Sequence, residues 1–137
     1  MKKYNVAILG ATGAVGMEML KVLVERDFPF KELKLLASSR SAGKEVEFQG
    51  KKYIIEEASE NSFKNMDIVL CAAENNISEA LSPAAVKAGA VVIDNSSAFR
   101  LKDGVPLVVP EVNGQDVKKH KGIIANPNCS TTIALTA

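Results

Sequence analysis

The chain has 137 residues, close to the commonest size of one domain and short of the length at which a second core is expected. Hydrophobic residues at 47% and charged residues at 24% supply both a core and a soluble surface, which excludes disorder, collagen-like repeats and coiled coil. Seventeen basic against sixteen acidic residues leave a net charge of +1, too little for the broad positive field that a phosphate backbone needs, so no nucleic-acid partner is expected.

Tyr4 to Leu9 is a short β-prone run that ends on a glycine turn. Val15, Met19, Val22 and Leu23 then recur at helical spacing, with Glu18, Lys21, Glu25 and Arg26 on other faces. Lys2 and Lys3 ahead of an apolar stretch imitate a signal peptide, but Gly10, Gly13 and Gly16 interrupt it and charges follow within a turn. No apolar stretch approaches membrane-spanning length, so no membrane partner is expected, and the two widely separated cysteines suit a reducing, cytoplasmic compartment. Phe28-Pro29-Phe30 stops the helix, and residues 33–38 read as a second strand running into the polar loop Ser39-Arg40-Ser41-Ala42-Gly43-Lys44.

Residues 45–49 and 53–57 flank Gly50-Lys51-Lys52 and read as a small inserted hairpin. Residues 67–72 and 90–93 are continuous apolar runs of the kind covered on both faces, separated by a helical stretch over 77–87 that Pro83 is expected to break. Two more short strands, 107–109 and 122–125, enclose a helical turn over 113–119. Alternating strands and helices predict an α/β, Rossmann-like, mostly parallel sheet with flanking helices, whose ligands bind at the carboxyl ends of the strands.

Gly10-Ala11-Thr12-Gly13-Ala14-Val15-Gly16 lies between the first strand and the first helix. A dinucleotide loop needs glycine at the tight turn, glycine where backbone approaches the pyrophosphate, and a small residue where helix packs on strand. The pieces are present with GxxGxxG spacing, and the absence of a terminal Gly-Lys-Ser/Thr excludes a P-loop. An NAD enzyme carries Asp or Glu at the end of the second strand. Here that place holds Ser38, Ser39, Arg40 and Ser41, a guanidinium with hydroxyls that suits a 2′-phosphate, so NADP is the expected cofactor.

Cys71 and Cys129 are far apart and His120 is the lone histidine, so neither a disulfide framework nor a metal site of Cys/His spacing is expected. Cys71, in an apolar run, reads as an inert packing residue. Cys129 follows Asn126-Pro127-Asn128 at the start of another predicted helix. Unsatisfied backbone N–H groups at such a position favour a thiolate and can hold an oxyanion, which makes Cys129 the candidate nucleophile. A cofactor that accepts hydride and a cysteine nucleophile together suggest thioester chemistry on an aldehyde.

These pieces resemble the aspartate-semialdehyde dehydrogenases. The resemblance is carried by the glycine loop, by Ser39-Arg40-Ser41-Ala42-Gly43-Lys44, by Asp94-Asn95-Ser96-Ser97-Ala98-Phe99-Arg100, by Pro106-Leu107-Val108-Val109-Pro110-Glu111-Val112-Asn113 and by Asn126-Pro127-Asn128-Cys129-Ser130-Thr131, in the family's order. It implies NADP-dependent interconversion of aspartate 4-semialdehyde plus phosphate with 4-phosphoaspartate, a step toward lysine, methionine and threonine. By position it implies that Thr12, Gly13, Ala14 and Val15 line the cofactor phosphates and that Arg40 and Ser41 hold its 2′-phosphate. It further implies that Arg100 binds the substrate phosphate and that Asn128 orients the reacting group beside Cys129.

The family's general-base histidine, its carboxylate-binding arginine and a substrate glutamine lie beyond the cysteine motif, in a second domain with the subunit interface. The expectation is therefore that residues 1–137 are the NADP-binding domain of a homodimeric or homotetrameric enzyme, without that second domain and without full activity. His120, in a Lys118-Lys119-His120-Lys121 run, reads as a solvated turn. Glu74 departs from the family's small loop after the third strand and is left out of the site. Two alternatives stay open: an NADP-binding module without catalysis, and an acylglutamyl-phosphate reductase, which usually surrounds its cysteine with Gly-Cys-Tyr where this chain has Asn128-Cys129-Ser130. A short-chain dehydrogenase would need Tyr-x-x-x-Lys, and neither Tyr4 nor Tyr53 has lysine four residues on.

Overall fold

A computed structural model describes residues 2–136, so residues 1 and 137, the two ends of the expected domain, lie outside the described residues. The strands are β1 (Tyr4–Leu9), β2 (Phe30–Ala37), β3 (Glu45–Phe48), β4 (Lys51–Ile54), β5 (Glu56–Glu57), β6 (Ile68–Cys71), β7 (Val91–Asp94) and β8 (Ile123–Ala125). The helices are α1 (Ala14–Glu25), α2 (Asn75–Lys87), α3 (Pro110–Asn113) and α4 (Cys129–Thr136), with single 3-10 segments at Glu60–Phe63 and Gly114–Lys119.

Six strands form one parallel sheet in the order β5-β2-β1-β6-β7-β8. Counted along the chain, that is the order of a dinucleotide-binding sheet, with the direction of winding reversing between β1 and β6. The reversal opens a crevice at the carboxyl ends of those two strands, because the connections leaving them go to opposite faces.

Both faces of the central strands are apolar. Ala7, Leu9, Leu36, Val69, Cys71 and Val92 pack beneath α2 and the 3-10 turn that carries Phe63. Val6, Ile8, Leu33 and Leu35 pack with Leu20 of α1 and with Ile55. Each such side chain withdrawn from water contributes roughly 1.5–3 kcal/mol, which is what holds short strands of four to eight residues in register. No helix among the described residues is long and apolar enough to cross a membrane.

Three sequence expectations need correction. The hairpin pairs Glu45 with Ile54 and Phe48 with Lys51, so the turn is Gln49-Gly50, not Gly50-Lys51-Lys52. Both turn residues have positive φ (53° and 74°), the geometry whose twist matches two antiparallel strands joined by a two-residue loop. Glu56 and Glu57 leave the hairpin altogether and pair with Leu36 and Ala37 at the edge of the main sheet. The separation follows from Ile55, which is 1% exposed and drops into the core between the two pieces.

Pro83 does not break α2, which runs unbroken from Asn75 to Lys87. Proline removes one N–H, and its partner would be the carbonyl of Glu79, an exposed residue that water can satisfy. The buried face, Ser78, Ser82 and Ala85, holds the helix against the sheet across the proline. Residues 107–109 form only a single bridge, Leu107 to Ala125, because Val109 is recruited as the cap of α3. The helical turn expected over 113–119 is present as the 3-10 segment Gly114–Lys119, with Asn113 closing α3 just before it.

Candidate functional site

The glycine loop turns at the carboxyl end of β1. Gly10 has φ +87°, and a Cβ there would lie 2.8 Å from the carbonyl carbon of Ala72, so glycine is needed both for torsion and for close approach to the end of β6. Gly16 is one turn into α1, and a Cβ would sit 2.3 Å from the Gly10 carbonyl oxygen, so glycine lets the helix rest directly on the turn. Gly13 differs. Its φ is −79°, and a Cβ would meet only the Gly10 carbonyl oxygen at an ordinary 3.6 Å. Neither torsion nor packing requires glycine at residue 13, which leaves an open cradle at the N-terminus of α1.

The cradle is suited to an anion. Gly13 caps α1 without a side-chain hydrogen bond, no acidic residue occupies the first turn, and first-turn N–H groups have no partner within a helix. Thr12, Ala14 and Val15 are exposed around it. A cleft of about 220 Å³ continues from Gly10 between the ends of β1, β2 and β5 and the first turns of α2. It is lined by Ala37, Ser38, Ser39, Glu57, Ala58, Ala73, Ile77 and Leu81. Its largely apolar walls carry two hydroxyls and the Glu57 carboxylate, and it lies at the strand carboxyl ends where a sheet of this order binds a dinucleotide.

Ser38 closes the loop beside this cleft by accepting hydrogen bonds from the N–H groups of Ser41 (3.0 Å) and Ala42 (3.1 Å). Arg40 is exposed in that turn and Ser41 is half-buried, and neither lines the cleft itself. Sequence reasoning missed Glu57, Ala58, Ile77 and Leu81. Glu57 falls in the stretch expected to be hairpin, and Ala58, Ile77 and Leu81 carry no polar group that distinguishes a cleft wall from core or an ordinary helix face. Glu74 is the exposed cap residue of α2.

The second half of the site lies at the carboxyl ends of β7 and β8. Asn128 caps α4: its Oδ1 accepts from the Thr131 N–H (3.0 Å) and hydroxyl (3.2 Å), and its carbonyl accepts from the Thr132 N–H (2.9 Å). Cys129 is thereby fixed as the first residue of α4, with its thiol exposed. The N–H groups of Cys129 and Ser130 lie ahead of the helical ladder and point away from it.

Arg100, half-buried, bridges the two loops: its Nε donates to the Asn126 carbonyl (2.8 Å) and its Nη2 to the Asn95 carbonyl (3.1 Å). Asn126 in turn donates through Nδ2 to Asn95 Oδ1 (2.7 Å). A guanidinium has five N–H donors, so three remain for a ligand close to the loop that carries Cys129. His120 faces elsewhere, its Nδ1 accepting from the Gly122 N–H at 3.0 Å. Among the described residues no group of three or more His, Cys, Asp or Glu is placed to hold a metal ion.

Cys71 is the opposite of Cys129. It is fully buried, and burial, helped by the nearby charge of Asp94, pushes its thiol up from 9.0 to about 11. The folded state therefore holds this proton more tightly than the unfolded chain does. Its contribution to stability is intact below pH 9 and is lost as pH rises from 9 to 11, by about 2–3 kcal/mol in total. Urea unfolding across that range should show a steeper fall in the unmodified chain than in Cys71→Ala.

Comparison with known proteins agrees with this geometry. Residues 5–120 match the family model described as semialdehyde dehydrogenase, NAD binding domain. An aspartate-semialdehyde dehydrogenase of Bacillus subtilis is 56% identical over 127 residues, 93% of this chain and 37% of that protein. The crystal structure of aspartate semialdehyde dehydrogenase II from Vibrio cholerae, complexed with ASA, superposes with a TM-score of 0.92 at 49% identity, covering 98% of this chain and 44% of that one. A structure of the Candida albicans enzyme with NADP superposes at 0.77 with 29% identity, over 95% of this chain and 44% of that one. The chain spans about two fifths of the length of the curated relatives it matches. With the model covering most of its length, the chain belongs to the semialdehyde dehydrogenase family, as the family's NAD-binding domain.

Proposed function

We propose that this chain is the NADP-binding, cysteine-bearing domain of an aspartate-semialdehyde dehydrogenase that interconverts aspartate 4-semialdehyde and phosphate with 4-phosphoaspartate. The observation that carries the reading is Cys129, exposed at the start of α4 beside the Arg100 bridge, on a sheet whose glycine loop leaves an open cradle. The names of the relatives support the same substrate.

The cofactor would be held by the α1 cradle, Gly10 to Gly16, and by the cleft lined by Ser38 and Ser39, with Arg40 and Ser41 toward its 2′-phosphate. When bound it supplies the acceptor for the aldehyde hydride. Cys129 Sγ attacks the aldehyde carbon and forms a C–S bond, giving a thiohemiacetal whose oxyanion faces the free N–H groups at the start of α4. Loss of hydride leaves a thioester on Cys129. Phosphate, held by the remaining Arg100 donors, then attacks the thioester carbon, forms the acyl phosphate and returns the thiolate. Asn128 serves this chemistry through the backbone: by capping α4 it fixes the direction of the Cys129 side chain.

In this reading the whole protein is a cytoplasmic homodimer or homotetramer in the pathway to lysine, methionine and threonine. The test is NADPH formation from aspartate 4-semialdehyde, phosphate and NADP by the product of the complete reading frame. Cys129→Ala should abolish turnover, and turnover that survives the substitution would refute the thioester route.

Cofactor preference gives a separate check. Charge-assisted hydrogen bonds contribute about 1.5–3 kcal/mol, so Arg40→Ala should weaken NADP binding roughly 10- to 100-fold and leave NAD binding unchanged. Isothermal titration with the two nucleotides reads the difference directly.

A further inference from the structure

We propose that Asp94, buried at the end of β7, is a positioning residue that sets Arg100 across the mouths of β7 and β8. This rests on the anion role given to Arg100 above. Asp94 is 0% exposed, and among the described residues no cation pairs with it. Its register neighbours are Cys71, whose protonated thiol lies within hydrogen-bonding reach of the carboxylate, and Ala125, so neither supplies a charge. A carboxylate withdrawn from water in such a row is costly unless its lone pairs are filled, and a residue kept only for packing would be apolar too.

The lone pairs are filled chiefly by the loop that leads to Arg100. Oδ1 accepts from the Ser96 N–H (2.8 Å), and Oδ2 accepts from the Ser96 hydroxyl (2.9 Å) and the Ser78 hydroxyl of α2 (2.7 Å). Ser96 Oγ also accepts from the Ala98 N–H (3.2 Å), so the carboxylate governs two successive loop amides, one directly and one through the serine. Asn75 at the start of α2 clasps the next residue from outside: its Oδ1 accepts from Ser97 N–H (2.9 Å) and its Nδ2 donates to Ser97 Oγ (2.6 Å). Residues 96, 97 and 98 are therefore pinned in succession, two residues ahead of Arg100. Its own bonds to Asn95 and Asn126 complete the bridge.

Two readouts on the isotope-labelled chain test this by NMR: hydrogen exchange at Arg100 Nε–H and the shift of that resonance on titration with inorganic phosphate. In Asp94→Asn one acceptor becomes a donor facing two hydroxyls, so Arg100 Nε–H should exchange at least tenfold faster and phosphate should bind at least tenfold more weakly. The backbone amides of β1 and β6 should exchange as before. A merely structural role would accelerate those core amides alongside Arg100, and that outcome, like unchanged exchange at Arg100, overturns the proposal.

Asn75→Ala, at an exposed position, should move the same two readouts in the same direction by a smaller factor. Should Asp94→Asn fail to fold, that variant decides the matter, with an unmoved Arg100 resonance counting against the proposal. An unsubstituted chain that binds no phosphate would remove the anion role of Arg100 while leaving its Nε–H exchange to judge the role of Asp94.

Discussion

Gly13→Ala should weaken NADP binding about 100-fold or more while changing unfolding free energy by only about 1 kcal/mol, whereas Gly16→Ala should cost about 3 kcal/mol of stability. The two residues lie three apart in one loop, and their environments separate them. At Gly16 a methyl group would sit 2.3 Å from the Gly10 carbonyl oxygen and 2.9 Å from the Ala11 Cα, both backbone atoms that move only if the strand and helix move apart. At Gly13 the methyl group has ordinary room, since its one neighbour is 3.6 Å away, and the backbone torsions suit any residue. It would instead occupy the space over the first turn of α1 where a pyrophosphate must approach the N–H groups. Denaturant unfolding and nucleotide titration of both variants read the two effects independently. Equal loss of stability in both, or full NADP affinity in Gly13→Ala, would contradict this division of labour.

Thiol chemistry should discriminate sharply between the two cysteines. At pH 8 a thiol held at about 11 is ionised in roughly one molecule in a thousand, and Cys71 is also sealed beneath α2. Cys129 is exposed at the head of α4. Iodoacetamide should therefore modify one equivalent rapidly in the folded chain, lost in Cys129→Ala, and a second only on unfolding. Phosphate should slow the rapid phase if Arg100 holds it beside the thiol, and NADP should leave Cys71 protected. Comparable rates at both cysteines would remove the basis for assigning the nucleophile.

Much of this fold is legible in the sequence because its signals are local. The run Tyr4–Leu9, the glycines at 10, 13 and 16 and the helical spacing of Val15, Met19 and Leu23 describe one β-turn-α unit without reference to anything distant. The misreadings arise where a distant partner decides. Glu56 and Glu57 look like the end of a hairpin, and only the edge of β2 makes them a strand of the main sheet. Pro83 carries a strong breaking signal, overridden by a helix face that Ser78, Ser82 and Ala85 bury against β6 and β7.

The same distinction applies to the site. Cys129 is singled out as a candidate by its place after Asn126-Pro127-Asn128, and Asn128 by its motif, although the Asn128 side chain is committed to capping α4. Asp94 was visible only as part of a motif. Its burial and its three donors come from β7, the following loop and α2 together, which no window of sequence brings side by side. The walls of the cleft, Ala58 and Ala73 with Ile77 and Leu81, are apolar residues that sequence cannot separate from core.

The central claim is that the crevice between β1 and β6 holds NADP, and calorimetric titration of the chain with NADP and with NAD tests it most directly. The account predicts saturable binding of one NADP per chain, at least tenfold tighter than NAD. Absence of saturation at millimolar NADP, or equal affinity for NAD, would contradict it.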